Sequence, residues 1–199
     1  MSQLIISVGR EFGSAGRAIA EELGKRFDIP VYDRHLITEI AEKTGLSTDE
    51  IEKYNEHPKS LIFSRSVRGY SNSIEDNIAE MQFSFIDDKA KSGESFVVVG
   101  RCSETKLKKY PALVSLFILG DMSEKVKRVM EVYSLSEDDA RKLIEKKDKK
   151  RKRYHNYHCS GHWGDSRLYD LCINSSRLGI EGTIDSLEAY IRARAAKAE

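Results

Sequence analysis

The sequence predicts an α/β protein in which a parallel β-sheet is covered by helices on both faces. Short, continuous apolar runs alternate along the chain with longer segments whose apolar residues recur every third or fourth position. The continuous runs are typical of strands buried on both faces, and the wider spacing is typical of amphipathic helices. Strands that alternate with helices form βαβ units, and ligands of such sheets bind beyond the carboxyl ends of the strands.

Five apolar runs are the predicted strands, and each is rich in β-branched or aromatic residues. They are Leu4–Val8, Pro30–Asp33, Ser95–Gly100, Val114–Leu119 and Leu171–Asn174.

Helical spacing fills the intervals between these runs. Ser47 with Glu50 forms a capping-box signature, and Ser136 with Asp139 predicts the start of another helix. Gly93 is placed to end the helix before the third strand. Three predicted helices have an apolar face, formed by Ile19, Leu23 and Phe27; by Ile74, Ile78, Met81 and Phe85; and by Ile180, Ile184, Leu187 and Ile191. A further helix after Ser123 carries Val126, Val129 and Met130.

Composition excludes several classes of function. The chain has 199 residues, of which 40% are hydrophobic and 33% charged, and this is typical of one globular domain. A formal net charge of +1 provides no overall field that would attract nucleic acid or a membrane, and neither is expected as a partner. No apolar run approaches the ~20 residues that span a bilayer. Three scattered cysteines fit a reducing compartment, so we expect a cytoplasmic protein.

A glycine-bearing turn follows the first predicted strand. It contains Gly9, Gly13 and Gly16, and a helix begins at Arg17. Phosphate groups bind where backbone N–H groups can approach closely, which favours glycine, and where a helix N-terminus supplies partial positive charge. The turn therefore has the elements of a phosphate-binding site.

The turn departs from the usual phosphate-loop pattern, G-x-x-x-x-G-K-[ST]. Glu11 occupies the first glycine position, Arg17 the lysine position and Ala18 the hydroxyl position. An arginine still pairs with phosphate oxygens, whereas alanine has no oxygen for a magnesium ion. From this stretch alone, a strand-to-helix turn without a ligand remains open.

Five segments in order carry a resemblance to a known family. They are IISVGREFGSAGRAIAEELGKRF, IPVYDRHLI, VVVGRCSE, LFILGDMSEKVKRVME and YDLCINSSRLGIEGTIDSL. Together they resemble the nucleoside monophosphate kinases, and specifically bacterial cytidylate kinase and the cytidylate kinase-like proteins. The resemblance spans nearly the whole chain.

This resemblance implies a P-loop NTPase fold, a three-layer α/β/α sandwich with a five-stranded parallel sheet. It implies one domain over residues 1–199, with an acceptor-binding insertion at 38–93 and a helical lid at 139–163. The implied activity is transfer of a phosphoryl group from ATP, with Mg²⁺, to a nucleoside monophosphate such as CMP or to another small phosphorylated acceptor. Small nucleotides are therefore the expected partners.

The resemblance also implies roles for particular residues. Those expected to bind ATP are Gly9, Phe12, Gly13, Ser14, Ala15, Gly16, Arg17 and Ala18. Those expected to act in catalysis are Arg17, Arg151 and Arg153, the last two from the lid. Those expected to bind the acceptor are Asp33, Arg34 and Arg101.

Two features favour a second hypothesis, a binding module that holds a nucleotide without turnover. Ala18 lacks the usual hydroxyl, and the third strand ends in Val99-Gly100-Arg101 without the acid that often holds magnesium. Asp33 and Glu11 are the candidate substitutes for that acid.

The basic segment 141–153 and its neighbours allow other interpretations. Its nine lysines and arginines are also typical of a solvated helix face, and Tyr154 and Tyr157 could stack on RNA bases. By residue type, zinc is a further possibility for the set His155, His158, Cys159 and His162. Gly161 is expected to end the helix before that set is complete, so ordinary lid surface is the expectation and no metal site is predicted.

Overall fold

Five parallel strands form the central sheet of the protein. The structure is a computed structural model that describes residues 3–33, 66–67, 70–71 and 74–197. Its elements in chain order are β1 (Ile5–Arg10), α1 (Gly16–Phe27), β2 (Val31–Tyr32), β3 (Ser66–Val67), β4 (Tyr70–Ser71), α2 (Ile74–Lys91), β5 (Phe96–Val99), α3 (Ser103–Lys106), β6 (Leu113–Leu119), α4 (Met122–Tyr133), α5 (Glu137–His158), a 3₁₀ turn (Ser166–Leu168), β7 (Leu171–Asn174) and α6 (Ser175–Ala196).

The sheet has the strand order β2-β5-β1-β6-β7, and β3 pairs with β4 in a separate two-stranded sheet. All five predicted strands are confirmed. Strand β1 extends two residues beyond its predicted end at Val8, because Gly9 pairs with Phe117 and Arg10 with Ile118 of β6. A Cβ at Gly9 would lie 2.8 Å from the Phe117 ring, so the strand can continue only with glycine there.

Two apolar clusters lie on opposite faces of the sheet. On one face, Ile6 and Val8 pack with the buried stripes of α1 and α6, which include Leu23 and Leu187. On the other, residues of β1 and β5 pack against α2. The three-layer α/β/α architecture is therefore confirmed.

The buried face of α2 differs from the predicted one at Met81, which is 39% exposed, whereas Ile78 and Phe85 are buried as predicted. The side chain of Ile74 lies outside what the structure describes. Ile86 joins Ile78 and Phe85 in the cluster against the sheet, and Gln82 is also buried.

Helices α4 and α5 pack against each other beside the sheet. Val126 and Val129 of α4 contact Ala140 and Ile144 of α5. The predicted start of α5 is confirmed, since Ser136 caps it by accepting a hydrogen bond from the Asp139 N–H. The predicted lid falls on this helix and the loop after it, and its movement stays a prediction.

Most of the predicted insertion lies outside the described residues, as does the predicted cap at Ser47 and Glu50. Among the residues that are described, no helix is both long and apolar enough to cross a bilayer. The three cysteines are all unpaired.

Candidate functional site

A cleft of about 440 Å³ opens at the carboxyl end of β1. Residues from the β1–α1 turn, α1, the end of β2, α4 and α5 line it, and five of them are basic. The lining consists of Arg10, Glu11, Phe12, Gly13, Ala15, Gly16, Arg17, Ala18, Glu21, Asp33, Arg128, Val129, Val132, Tyr133, Lys147 and Arg151.

The β1–α1 turn has a backbone that its glycines permit. Gly13 has a φ of +85°, a left-handed conformation that favours glycine. A Cβ on Gly16 would lie 2.5 Å from the Arg10 Cβ, so a larger residue would push the turn away from β1. Ser14 is held at both ends, because its hydroxyl donates to the Glu11 carbonyl at 2.9 Å and its carbonyl accepts from the Ser175 hydroxyl at 2.8 Å.

Helix α1 begins within the cleft lining. Its N-cap, Ala15, has a φ of 62° and makes no side-chain cap, so it satisfies none of the first N–H groups. These N–H groups also lack intrahelical partners, and together with the helix dipole they form an anion-binding terminus. We define residues Gly13–Ala18 as the cradle.

Two acids near the cradle share one buried lysine. The Lys125 Nζ lies 3.0 Å from Glu11 Oε2 and 3.4 Å from Asp148 Oδ2, and the lysine side chain is only 5% exposed. Glu11 also accepts the Gly120 N–H at 3.1 Å. Because Glu11 is paired with Lys125, the repulsion between its charge and an anion in the cradle is reduced.

Helix α5 closes over the turn through two side chains. Asp148 accepts the Phe12 N–H at 2.6 Å, and Arg151 donates to the Arg10 carbonyl at 3.2 Å. The Arg151 guanidinium also lies 5.5 Å from the centre of the Phe12 ring, within the range of a cation–π contact. Burial raises the pKa of Asp148, while the hydrogen bond from Phe12 and the charge of Lys125 oppose that shift.

Arg17 lies at the opposite rim of the cleft. Its Nε is 2.8 Å from Glu21 Oε1 and 3.3 Å from Asp33 Oδ2, and the side chain is half exposed. The hydrogen bond to Glu21 raises the pKa of Arg17 further above its usual value. Its charge is therefore permanent and lies in the first turn of α1.

The tip of β5 has an unusual backbone. Gly100, Arg101 and Cys102 have consecutive left-handed φ angles of 75°, 61° and 54°. Non-glycine residues in this region cost about 1–3 kcal/mol each and are often found at functional sites. Arg101 is buried and lines a small cavity of about 30 Å³, which Arg10 and Arg151 also line. Two strand tips and α5 therefore bring three arginines together.

The C-terminal end of α5 forms a buried cluster next to that cavity. The His155 Nε2 lies 2.8 Å from Glu104 Oε1, and Cys159 lies beside both. Burial opposes protonation of His155, yet hydrogen bonds with Cys159 and Glu104 raise its pKa to about 10. A hydrogen bond with Cys102 lowers the pKa of Cys159, against burial and with help from His155.

Comparison with known proteins identifies the family. The model of the cytidylate kinase-like family matches residues 5–177. The chain belongs to the cytidylate kinase-like family. It is 25% identical over 192 residues to a cytidylate kinase of Pyrococcus horikoshii, which covers 95% of this chain and 88% of that protein.

Two solved structures show how this cytidylate kinase-like chain compares in fold. An uncharacterized protein from Eubacterium ventriosum is 38% identical, with a TM-score of 0.76 over 96% of this chain and 99% of that one. Shikimate kinase from Bacteroides thetaiotaomicron is 12% identical, with a TM-score of 0.58 over 95% and 98% of the two chains, and this likeness shows the fold alone. Family and fold together support a nucleotide-dependent kinase.

The structure of this cytidylate kinase-like protein brings most of the predicted site residues together. Phe12, Asp33, Arg151 and the cradle except Ser14 line one cleft; Gly9 and Arg101 line the adjacent cavity, and Ser14 is buried. The Phe12 amide donates to Asp148, so the amides left for an anion begin at Gly13. Arg153 is exposed and is not in the cleft lining described here. Arg34 lies outside the described residues.

Sequence reasoning missed four charged residues of this region. Arg128 and Lys147 line the cleft, while Lys125 and Asp148 support the turn. Asp148 had a signal: it is an acid within a basic run, four residues after the buried Ile144. An isolated acid on the buried face of a basic helix points to a specific partner.

The four residues considered for zinc in the sequence do not come together as a unit. His155 and Cys159 lie together with Glu104, whereas His162 is exposed. His158 packs 5.4 Å from Phe83 and 4.6 Å from Tyr154, measured between ring centres, and burial lowers its pKa to about 4.

Proposed function

We propose that this protein is an ATP-dependent kinase that phosphorylates a nucleoside monophosphate such as CMP. The observation that carries the proposal is the cleft, in which a helix N-terminus and several cationic side chains face one space. Phosphoryl transfer spreads negative charge over the transferred group, and its catalysis depends on positioning and on cationic stabilisation.

The ATP phosphates bind at the cradle. The amides from Gly13 onward donate to the phosphate oxygens, and Arg17 takes the role that lysine has in the usual pattern. Arg17 reaches them by leaving Glu21 or Asp33, both of which are partly solvated partners. Such exposed ion pairs contribute little to stability, so the exchange costs little.

Arg151, Arg128 and Lys147 surround the transferred group from the α4–α5 side. The acceptor's phosphate oxygen attacks the γ-phosphorus, the bond from that phosphorus to the bridging oxygen breaks, and ADP leaves. No covalent enzyme intermediate is needed. Movement of α5 as a lid would exclude water and suppress hydrolysis of ATP.

Asp33 is our candidate for holding magnesium among the three acids that line this cleft. It directly follows β2, whereas Glu11 is committed to Lys125 and Gly120, and Glu21 is hydrogen-bonded to Arg17. Magnesium usually keeps several waters and takes one or two carboxylates plus phosphate oxygens, so Asp33 fits that role without the hydroxyl missing at Ala18. When bound, the ion would neutralise charge on the phosphates.

The acceptor binds beside the tip of β5. Arg101 and Arg34 hold its phosphate, and Asp33 accepts a hydrogen bond from its sugar or base. The buried, strained position of Arg101 supports this role, because such strain is retained where a side chain must be aimed. Unpaired cysteines agree with a cytoplasmic location.

A binding module without turnover is the second candidate. Ala18 and the missing acid at the tip of β5 favour it, since both remove usual magnesium partners.

A coupled assay with ATP, Mg²⁺ and each of CMP, dCMP, UMP and AMP separates the two candidates. We expect turnover with at least one acceptor, and a fall in kcat/KM of about 10²-fold in Arg17→Ala. Lys25→Ala is the matched control, since Lys25 is an exposed cation of the same helix that pairs with Glu22 at 3.2 Å. Tight ATP binding without product from any acceptor would favour the binding module, and unchanged kinetics in Arg17→Ala would contradict the role of Arg17.

A further inference from the structure

The buried cluster at the end of α5 contains three side chains of different ligand chemistry. One oxygen of Glu104, one ring nitrogen of His155 and the sulfur of Cys159 all lie within 4.8 Å of one another. Glu104 and His155 are each 4% exposed. The proposed phosphoryl transfer uses none of these groups, so their convergence needs another explanation.

We propose that Glu104, His155 and Cys159 form a binding site for a zinc ion. Zinc takes nitrogen, sulfur and carboxylate oxygen as ligands in a tetrahedral arrangement, and this cluster offers one of each. The proposal does not rest on the kinase activity proposed above.

The local geometry suits a tetrahedral ion. Bonds of ~2.0 Å to nitrogen and oxygen place those two atoms roughly 3.3 Å apart in a tetrahedron. The His155 Nε2 and Glu104 Oε1 are 2.8 Å apart. An ion that replaces the proton between them therefore requires an opening of only ~0.5 Å.

The helix sets the spacing of two of the ligands. Cys159 is the C-cap of α5, and its N–H donates to the His155 carbonyl at 2.9 Å. Residues four apart lie on the same face of a helix, so both side chains point toward Glu104 of α3. A metal would thus connect the end of α5 to the segment that follows β5.

Two neighbouring residues complete the arrangement. The Asn156 Oδ1 lies 3.4 Å from the His155 Nδ1 and also accepts the Trp163 N–H at 2.8 Å. A carbonyl at the second ring nitrogen is the usual partner of a metal-binding histidine, and it leaves Nε2 for the ion. Cys102, buried beside Cys159, is the nearest candidate for a fourth ligand.

Metal analysis of the intact protein tests the site. Protein produced in zinc-containing medium and purified without chelator should carry about one zinc per chain by mass spectrometry of the metal. Cys159→Ser and His155→Ala should each lower that content at least about tenfold. Cys172→Ser and His162→Ala are the matched controls, since neither residue is in the cluster, and both should keep the full content.

Cobalt substitution tests the site in the wild-type protein, so the test still holds if a variant fails to fold. The wild-type protein reconstituted with Co²⁺ should show a thiolate-to-cobalt charge-transfer band, and Cys159→His should keep the metal but weaken that band. Wild-type protein that binds neither zinc nor cobalt would overturn the proposal. So would zinc content that stays unchanged in both Cys159→Ser and His155→Ala.

Discussion

Helix α5 contacts the carboxyl edge of the sheet at two points that differ in chemistry. At the first, Asp148 and Arg151 reach the backbone of the β1–α1 turn beside an open cleft. At the second, His155 and Cys159 reach Glu104 inside a buried cluster. The points are about 10 Å apart along one helix face. Charges beside the open cleft remain available to a phosphate, whereas buried groups must satisfy one another or hold an ion.

The first contact point depends on a charge balance beneath it, which Lys125→Met should break. The variant leaves Glu11 and Asp148 without their shared cation. We expect the free energy of unfolding, measured by chemical denaturation, to fall by about 3 kcal/mol. This is near the lower end for a broken buried pair, because Glu11 retains some contact with water.

Lys127→Met is the control for that experiment. Lys127 is two positions away on the same helix and forms an exposed pair with Glu124 at 2.7 Å, so its loss should change stability by less than about 0.5 kcal/mol. Adding Glu11→Gln to Lys125→Met should restore part of the stability, since it removes the excess charge. Equal stabilities for the two lysine variants would contradict the charge balance.

Arg151 and Arg153 lie two residues apart on α5, one in the cleft and one on the surface, so their variants can be compared directly. Both were predicted from the sequence as catalytic arginines, but only Arg151 lines the cleft. We expect Arg151→Ala to lower kcat/KM about 10²-fold, because it removes a cation next to the transferred phosphoryl group. Arg153→Ala should change it less than about twofold. Equal losses would mean that α5 rotates or shifts during the reaction.

The fold could be predicted from the sequence because its signals are local. Continuous apolar runs predicted the five strands, and the apolar face with Ile184, Leu187 and Ile191 predicted α6. These three residues are all buried. The cradle could be predicted for the same reason, since its glycines and Arg17 are contiguous. The exception was Met81, which was predicted to lie on the buried face of α2 but is exposed. The next residue, Gln82, is buried.

The partners of α5 could not be predicted in this way. Glu104 lies 51 positions from His155 along the chain, and only the packing of α5 across the tip of β5 brings the two together. The pairing of Glu11 with Lys125 spans 114 positions and depends on the end of β6 lying beside β1. In both pairs the two charged residues are far apart in the sequence. Only the packing of the folded chain shows that each residue is paired with the other.

The smallest effect expected is a difference between two glycines of nearly equal conformation. Gly13 has a φ of +85° and Gly93 of +81°, so alanine at either position incurs the left-handed strain of about 1 kcal/mol. A Cβ at Gly13 would also lie 3.0 Å from the Lys125 Cβ, whereas nothing lies within 4 Å of one at Gly93. Gly13→Ala should therefore lose about 1 kcal/mol more by denaturation than Gly93→Ala, and should alone weaken ATP binding by calorimetry. Equal losses in stability, with ATP affinity unchanged in both, would show that the cradle is not fixed by its contact with α4.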